Sequence, residues 1–194
     1  MERMKKTLLL LINCLALTLV PLSAGAREWS AGLISSPVFI GIQAQATSPD
    51  NGETDIFCIA ADIYGTVTGR TEDVGIRLSY IHDYALGLLV AENFNMKFHL
   101  GAGFMTGFAH DNELGLFMSF DEPLANEMGI IAALSCTIGL RFDFDRPFAI
   151  DLGLTANPGV HLRMDRENGS MYLSFYKNGI FGAVLPHISL MYRF

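Results

Sequence analysis

The chain has 194 residues, 51% of them hydrophobic and 17% charged, with a formal net charge of -7. That acidity excludes a nucleic-acid partner, because too little positive charge is present to neutralise phosphates. Only one long apolar run occurs, so a membrane protein built of helices is excluded as well.

That run, Leu8 to Val20, follows Arg3, Lys5 and Lys6 and precedes Ala24-Gly25-Ala26. Charge, apolar stretch and small-residue cleavage site together predict a secretory signal peptide over residues 1–26 and a mature domain over 27–194. The run is shorter than a membrane-spanning helix needs. Cys14 has no small residue before it, which argues against a lipoprotein anchor.

From Ala31 to Ala46 the even positions Ile34, Val38, Ile40, Ile42 and Ala44 are apolar, against Ser35, Gln43 and Gln45, which predicts a first strand. Thr47 to Thr54 is dense in turn residues. Asp55 to Val67 sets Phe57, Ile59, Ala61 and Ile63 against Cys58, Ala60, Asp62 and Tyr64. After a short polar turn from Thr68 to Asp73, Val74, Ile76, Leu78 and Tyr80 alternate with Gly75, Arg77, Ser79 and, further along, Asp83. Tyr84 to Glu92 is read as a separate fourth strand. Phe98 to His110 alternates bulky apolar residues with His99 and glycines, and Asn112 to Met128 is a long loop. A hairpin follows, with Ile130 to Phe144 and Ile150 to Leu162 joined at Asp145-Arg146-Pro147; it places Arg141 opposite Asp151 and Phe144 opposite Phe148. Pro158 has no N–H for a ladder, so a bulge or break is expected there. Asp165 to Gly179 is a second long loop, and Gly182 to Phe194 is the closing strand, the eighth.

Once one parity is taken as outward from its apolar residues, the Asp and Arg residues of the strand cores fall on the other side. A soluble sandwich or lipocalin-like barrel would place the apolar set inside and the charges outside. A charge on the lipid face near mid-bilayer costs about 2 to 4 kcal/mol for Arg or Lys, so the observed sorting suits a barrel in lipid. Short connections alternating with long ones suit short periplasmic turns and long external loops. Phe98, Phe142, Phe144, Phe148, Tyr192 and Phe194 would form an aromatic girdle at the periplasmic rim.

Ile188, Leu190, Tyr192 and Phe194 line one face of the last strand, which ends on an aromatic residue. This resembles the C-terminal assembly signal of bacterial outer-membrane β-barrels. With the alternation before it, the chain looks like the small eight-stranded barrels, similar in architecture to the OmpA and OmpX membrane domains. The likeness does not extend to a periplasmic peptidoglycan-binding domain. It implies an all-β, eight-stranded antiparallel up-and-down transmembrane barrel of Gram-negative type. It also implies outer-membrane lipid, lipopolysaccharide and the barrel-assembly machinery as partners, and a monomeric state.

Eight strands leave a lumen that side chains can fill. The inward polar set is Asp62, Arg77, Asp83, His99, Arg141, Asp143, Asp151, His161, Arg163, His187 and Arg193. Balanced signs suggest a paired plug, since ionisable groups in a narrow lumen need partners to offset desolvation; a selective pore favours a ring of one sign. A structural or surface-interaction role therefore leads, with a small porin or transporter as the alternative. A lipid hydrolase is weaker still, because Ser135, His161 and Asp143, or His187 with Ser189, point into the lumen. No cofactor or metal is expected. Cys58 and Cys136 have opposite parity, so no disulfide is expected. Leu116, Phe117, Phe120, Tyr172, Phe175 and Tyr176 in the long loops are candidates for an external binding surface.

Overall fold

The computed structural model describes residues 27–36, 39–63, 74–110, 128–145, 147–164, 171–176 and 186–194. The expected signal peptide, the turn from Thr68 to Asp73 and the loop containing Leu116, Phe117 and Phe120 lie outside the described residues. The described residues form ten strands: β1 (Glu28–Ser35), β2 (Phe39–Thr47), β3 (Thr54–Asp62), β4 (Gly75–Val90), β5 (Phe94–His110), β6 (Met128–Phe144), β7 (Phe148–Ala156), β8 (Gly159–Met164), β9 (Met171–Phe175) and β10 (His187–Arg193).

Each strand pairs antiparallel with its neighbours, β1 pairs with β10, and β5 pairs with β6, so the sheet closes on itself. β7 and β8 both pair with β6 and form one barrel strand interrupted at Asn157-Pro158, where the Leu134 N–H donates to the Pro158 carbonyl at 3.0 Å. β9 pairs antiparallel with β8 on the side away from β6, the side that β10 takes on β7. The fold is thus a closed, eight-stranded antiparallel barrel.

The stagger follows from the registers. From Ser35 the ladder leads through Ile40, Ala61 and Ile76 to Phe108; in the other direction it leads through Ile188, Leu152 and Leu140 to Phe98. The two walks meet on β5 ten residues apart. With strands about 4.8 Å apart and about 3.3 Å per residue, this stagger tilts them about 40° and sets a backbone radius of about 8 Å. Side chains can fill such a barrel.

Two features depart from the sequence reading, and they cancel in the strand count. Residues 31–46 are not one strand but two, β1 and β2, joined where the Ser36 N–H donates to the Phe39 carbonyl at 2.8 Å and Ser36 Oγ accepts from the Phe39 N–H at 3.1 Å. The sequence Ser35-Ser36-Pro37 signalled this turn, since proline cannot donate to a ladder. Parity switches across it: Leu33 is exposed, whereas Ile34 is buried inside and was wrongly assigned outward. Conversely, the expected third and fourth strands are a single strand, β4, with a register shift between Ala85 and Gly87. A bulge of this kind inserts a residue and breaks the alternation, so the lower half looked like a separate element.

These changes reassign the connections. The 48–53 and 91–93 connections, the end of β6 and the start of β7 lie at the rim where β1 begins and β10 ends, here the terminal rim; β3 ends and β4 begins at the opposite, distal rim.

Candidate functional site

The interior is organised in three tiers, each built by inward residues of several strands. At the terminal end, Asp143 is surrounded by cations: Lys97 Nζ lies 3.0 Å away, Arg141 Nε donates to it at 2.9 Å, and Arg193 stands at 3.9 Å. Arg141 also donates to Gln45, and Arg193 donates to the Phe144 carbonyl. The register places Arg141 opposite Asp151, as expected, but the guanidinium turns to Asp143 and Gln45 instead.

The middle tier follows from one row of the ladder. His99, Gly139, Gly153 and His187 are successive cross-strand partners on β5, β6, β7 and β10. A Cβ on Gly139 would come within 2.5 Å of His99 Nε2, and one on Gly153 within 2.6 Å of His187 Cε1. The glycines thus form a floor on which the two imidazoles lie. Between the rings stands Asp151, with Oδ2 3.3 Å from His99 Nε2 and Oδ1 3.9 Å from His187 Nε2. The far nitrogens are held from outside: His99 Nδ1 lies 2.9 Å from Asp83 Oδ1, and His187 Nδ1 lies 3.3 Å from Thr155 Oγ1. Asp83 itself occupies the space left by Gly101, where a Cβ would meet its carboxylate at 2.7 Å.

The distal tier is a stacked plug. Arg77 pairs with Asp62, and its guanidinium lies 5.7 Å from the Phe39 ring centroid and 5.8 Å from that of Tyr176. Tyr176 packs with Met105, Ala109 and Ile131 in an apolar cluster. His161 repeats the glycine device: it lies over Gly129, with its Nε2 3.1 Å from the Ala109 carbonyl, while Arg163 Nε donates to its Nδ1 at 2.9 Å.

Between the distal plug and the lower polar tiers lies a cavity of about 60 Å³. Ile34, Phe39, Ile56, Cys58, Ala60 and Met105 line one side; Ser135, Asn157, Thr155, Asp151, His99 and His187 line the other. Ser135 Oγ donates to Asn157 Oδ1 at 2.6 Å. Among the described residues no group of three His, Cys, Asp or Glu side chains is arranged to hold a metal ion.

Among the described residues the outer wall is largely apolar, and the sequence reading missed a charged residue on it. Asp55 has outward parity yet is only 3% exposed. It accepts from Tyr80 OH at 2.8 Å, lies 2.7 Å from His82 Nδ1 and pairs with Arg27. The expectation that every strand-core Asp faces inward is therefore corrected at this position. Asp55 is tolerated outside because Arg27, Tyr80 and His82 cover it.

No protein-family model matches the chain, and no curated protein matches it. Two solved structures do. The N-terminal β-barrel domain of Pseudomonas aeruginosa OprF shares 10% identity over 87% of this chain and 96% of that one, with a TM-score of 0.45. A major outer membrane protein from Thermus thermophilus shares 14% identity over 87% of this chain and 100% of that one, with a TM-score of 0.42. The fold assignment rests on the strand registers described above.

Of the residues singled out from sequence, Asp62, Arg77, Asp83, His99, Asp143, Asp151, His161, Arg163 and His187 are buried, with Arg141 and Arg193 partly so. Ile188, Leu190, Tyr192 and Phe194 are exposed on the outer wall. Phe148 packs on Tyr192 at 5.5 Å rather than on Phe144, whose ring meets Phe94 at 6.4 Å. Phe175 is exposed and Tyr172 is in β9, but Tyr176 is fully buried. Tyr176 is therefore a plug residue and not part of an external surface: its N–H donates to the Gly159 carbonyl at 2.9 Å, so it extends the β8–β9 ladder with the parity opposite to exposed Met171, Leu173 and Phe175. Lys97, Gln43 and Gln45 belong to the interior and were not counted in the network; Lys97 shares His99's parity, which could have revealed it. Cys58 is buried and Cys136 exposed, both free, on opposite faces.

Proposed function

We propose that this chain is an integral outer-membrane barrel with a structural or surface-interaction role and an occluded lumen. The observation that carries this reading is the outer wall. Leu33, Ile42, Ile59, Ile76, Leu134, Leu152 and Leu190 are each more than two-fifths exposed, on neighbouring strands around the barrel, while Asp and Arg residues fill the interior. Soluble monomers rarely expose apolar surface beyond a few hundred Å² in one patch, so such a wall calls for lipid as its solvent.

The aromatic residues support the same orientation. Phe94 with Phe142 and Phe144, and Phe148 with Tyr192 and Phe194, gather at the terminal rim, where a periplasmic girdle belongs. Export through the N-terminal signal peptide, contact with lipopolysaccharide and recognition of the β10 face by assembly machinery complete the reading. The role is non-enzymatic: Asp55 and His82 make a close carboxylate–imidazole pair, but the hydroxyl beside them, that of Tyr80, donates to Asp55 and is not set against the imidazole.

The test is heat-modifiable gel migration of the membrane fraction. A protein that is recovered with the outer membrane and migrates faster unheated than boiled supports the reading; a soluble protein with heat-independent migration overturns it. Planar-bilayer recording separates the occluded barrel from a small porin, since reproducible ion-selective channels would contradict the three-tier plug.

A further inference from the structure

We propose that the last part of β4 is a contact strand between two copies of this chain, pairing edge to edge with its counterpart about a two-fold axis. β3 pairs with β4 only as far as Thr54 opposite Asp83, whereas β4 runs on to Val90 against β5 alone. Among the described residues no backbone hydrogen bond reaches residues 84–90 from the β3 side, and every residue of that stretch is exposed. Backbone groups point to alternate sides along a strand, so part of them here face away from β5 and lack a strand partner.

This open edge lies at membrane depth. Its last rows, Leu89 opposite Met96 and Val90 opposite Asn95, adjoin Phe94 and Phe142, which pair in the aromatic girdle. From there the edge climbs to Tyr84 on the apolar wall. Lipid offers no hydrogen bonds, so a strand edge facing it calls for another strand. At this step the proposal rests on the membrane reading.

The side chains select the occupant. Residues 84–90 read Tyr-Ala-Leu-Gly-Leu-Leu-Val and carry no charge. Leu89 points outward, while Leu88, opposite Lys97, and Val90 have inward parity yet are 60% and 72% exposed. Lipid can cover the first and not the other two; a neighbouring strand covers both sides. The edge that fits is neutral, extended and in the same membrane, and this chain carries one. Antiparallel self-pairing centred on Leu89 sets Leu89 opposite its copy on the lipid side and Leu88 opposite Val90 on the lumen side, apolar against apolar in each row. No like charges meet in those rows, which favours self-association in a chain of net charge -7. The register shift between Ala85 and Gly87 ends the regular stretch above them. A dimer of this kind departs from the monomeric state that the family likeness implies.

The test is oxidative cross-linking of the purified protein refolded into phospholipid vesicles. In a Cys136→Ser background, which removes the exposed thiol of the outer wall, Leu89→Cys sits on the two-fold axis. Ile76→Cys lies on the same strand and is similarly exposed, but β3 and β5 flank it on both sides. With a copper(II) oxidant that takes up the two electrons as two thiols lose their protons and join, Leu89→Cys should yield several-fold more disulfide-linked dimer than Ile76→Cys. Adding Leu88→Lys and Val90→Lys should abolish the link, because lysines then face each other across the edge. Co-refolding that variant with one carrying Leu88→Glu and Val90→Glu should restore it as a mixed dimer. Heat-modifiable migration reports on the membrane reading separately, so a barrel that inserts but does not link overturns this proposal alone. Equal linkage at Leu89 and Ile76, linkage undiminished by the lysines, or a mixture that links no better than the lysine variant also overturns it. An adduct formed in whole membranes and absent with purified protein does the same, and gives the edge to a different protein.

Discussion

Replacing Ile42 with arginine is the sharpest probe of what surrounds the barrel. Ile42 sits in mid-strand on β2, between Leu33 on β1 and Ile59 on β3, and is 59% exposed. In water an exposed apolar side chain can be exchanged for a charged one within about 0.5 kcal/mol. In lipid the same arginine loses hydration near mid-bilayer and costs about 2 to 4 kcal/mol, falling to about 0 to 1 near the interface. Phe194, at the terminal rim and 77% exposed, provides that interfacial comparison. With a urea dependence of about 2 kcal/mol per molar, Ile42→Arg should lower the unfolding midpoint by about 1 to 2 M and Phe194→Arg by less than about half a molar. The assay is urea unfolding of the protein refolded into phospholipid vesicles, followed by gel migration. A midpoint for Ile42→Arg indistinguishable from the parent would refute the lipid-facing wall, because an arginine at this exposed mid-strand position would then have lost no hydration.

Gly153→Ala should destabilise the barrel by about 1 to 3 kcal/mol, since the new Cβ meets His187 at 2.6 Å and the Ile138 carbonyl at 3.1 Å; a stability equal to the parent would mean the imidazole does not lie on the glycine floor. Asp143→Asn removes the carboxylate that Lys97, Arg141 and Arg193 surround, and should cost about 3 to 5 kcal/mol, read as a lowered thermal midpoint. Deletion of Phe194 should impair membrane assembly, whereas Phe194→Tyr should largely spare it, scored as the folded fraction by unheated gel migration. Asp55→Asn should loosen Arg27 and His82 from the wall and lower stability by about 1 to 3 kcal/mol, a loss that an arginine-to-glutamine change at Arg27 should partly share.

Much of the interior was legible because strand geometry alternates faces at every residue, so a single chemical contrast reports direction. Arg77, Asp143 and Asp151 could be placed inside from parity alone. The same rule failed wherever parity changed without a conspicuous signal. At Ser36 a three-residue connection reversed the faces of Ile34 and Leu33, and at Ala85 a bulge disguised one strand as two. Tyr176 misled for a different reason: grouped with Phe175 as loop surface, it in fact continues the alternation of β9 by one residue and so faces inward.

The sequence by itself determined the strand class, the exclusion of charge from most of the outer wall and the inward direction of most strand-core Asp, Arg and His residues, because these depend on local alternation. Only the tertiary structure decided who pairs with whom. Arg141 and Asp151 are neighbours in register yet part company, since Asp143 and Gln45 offer the guanidinium better positions. His99 and His187 are 88 residues apart in the chain but share one row, and the glycines between them matter only because the closed ladder aligns them. Asp55, outward by parity and buried by contact, shows the limit most clearly: alternation reports the side to which a residue points, and packing decides whether that side is open.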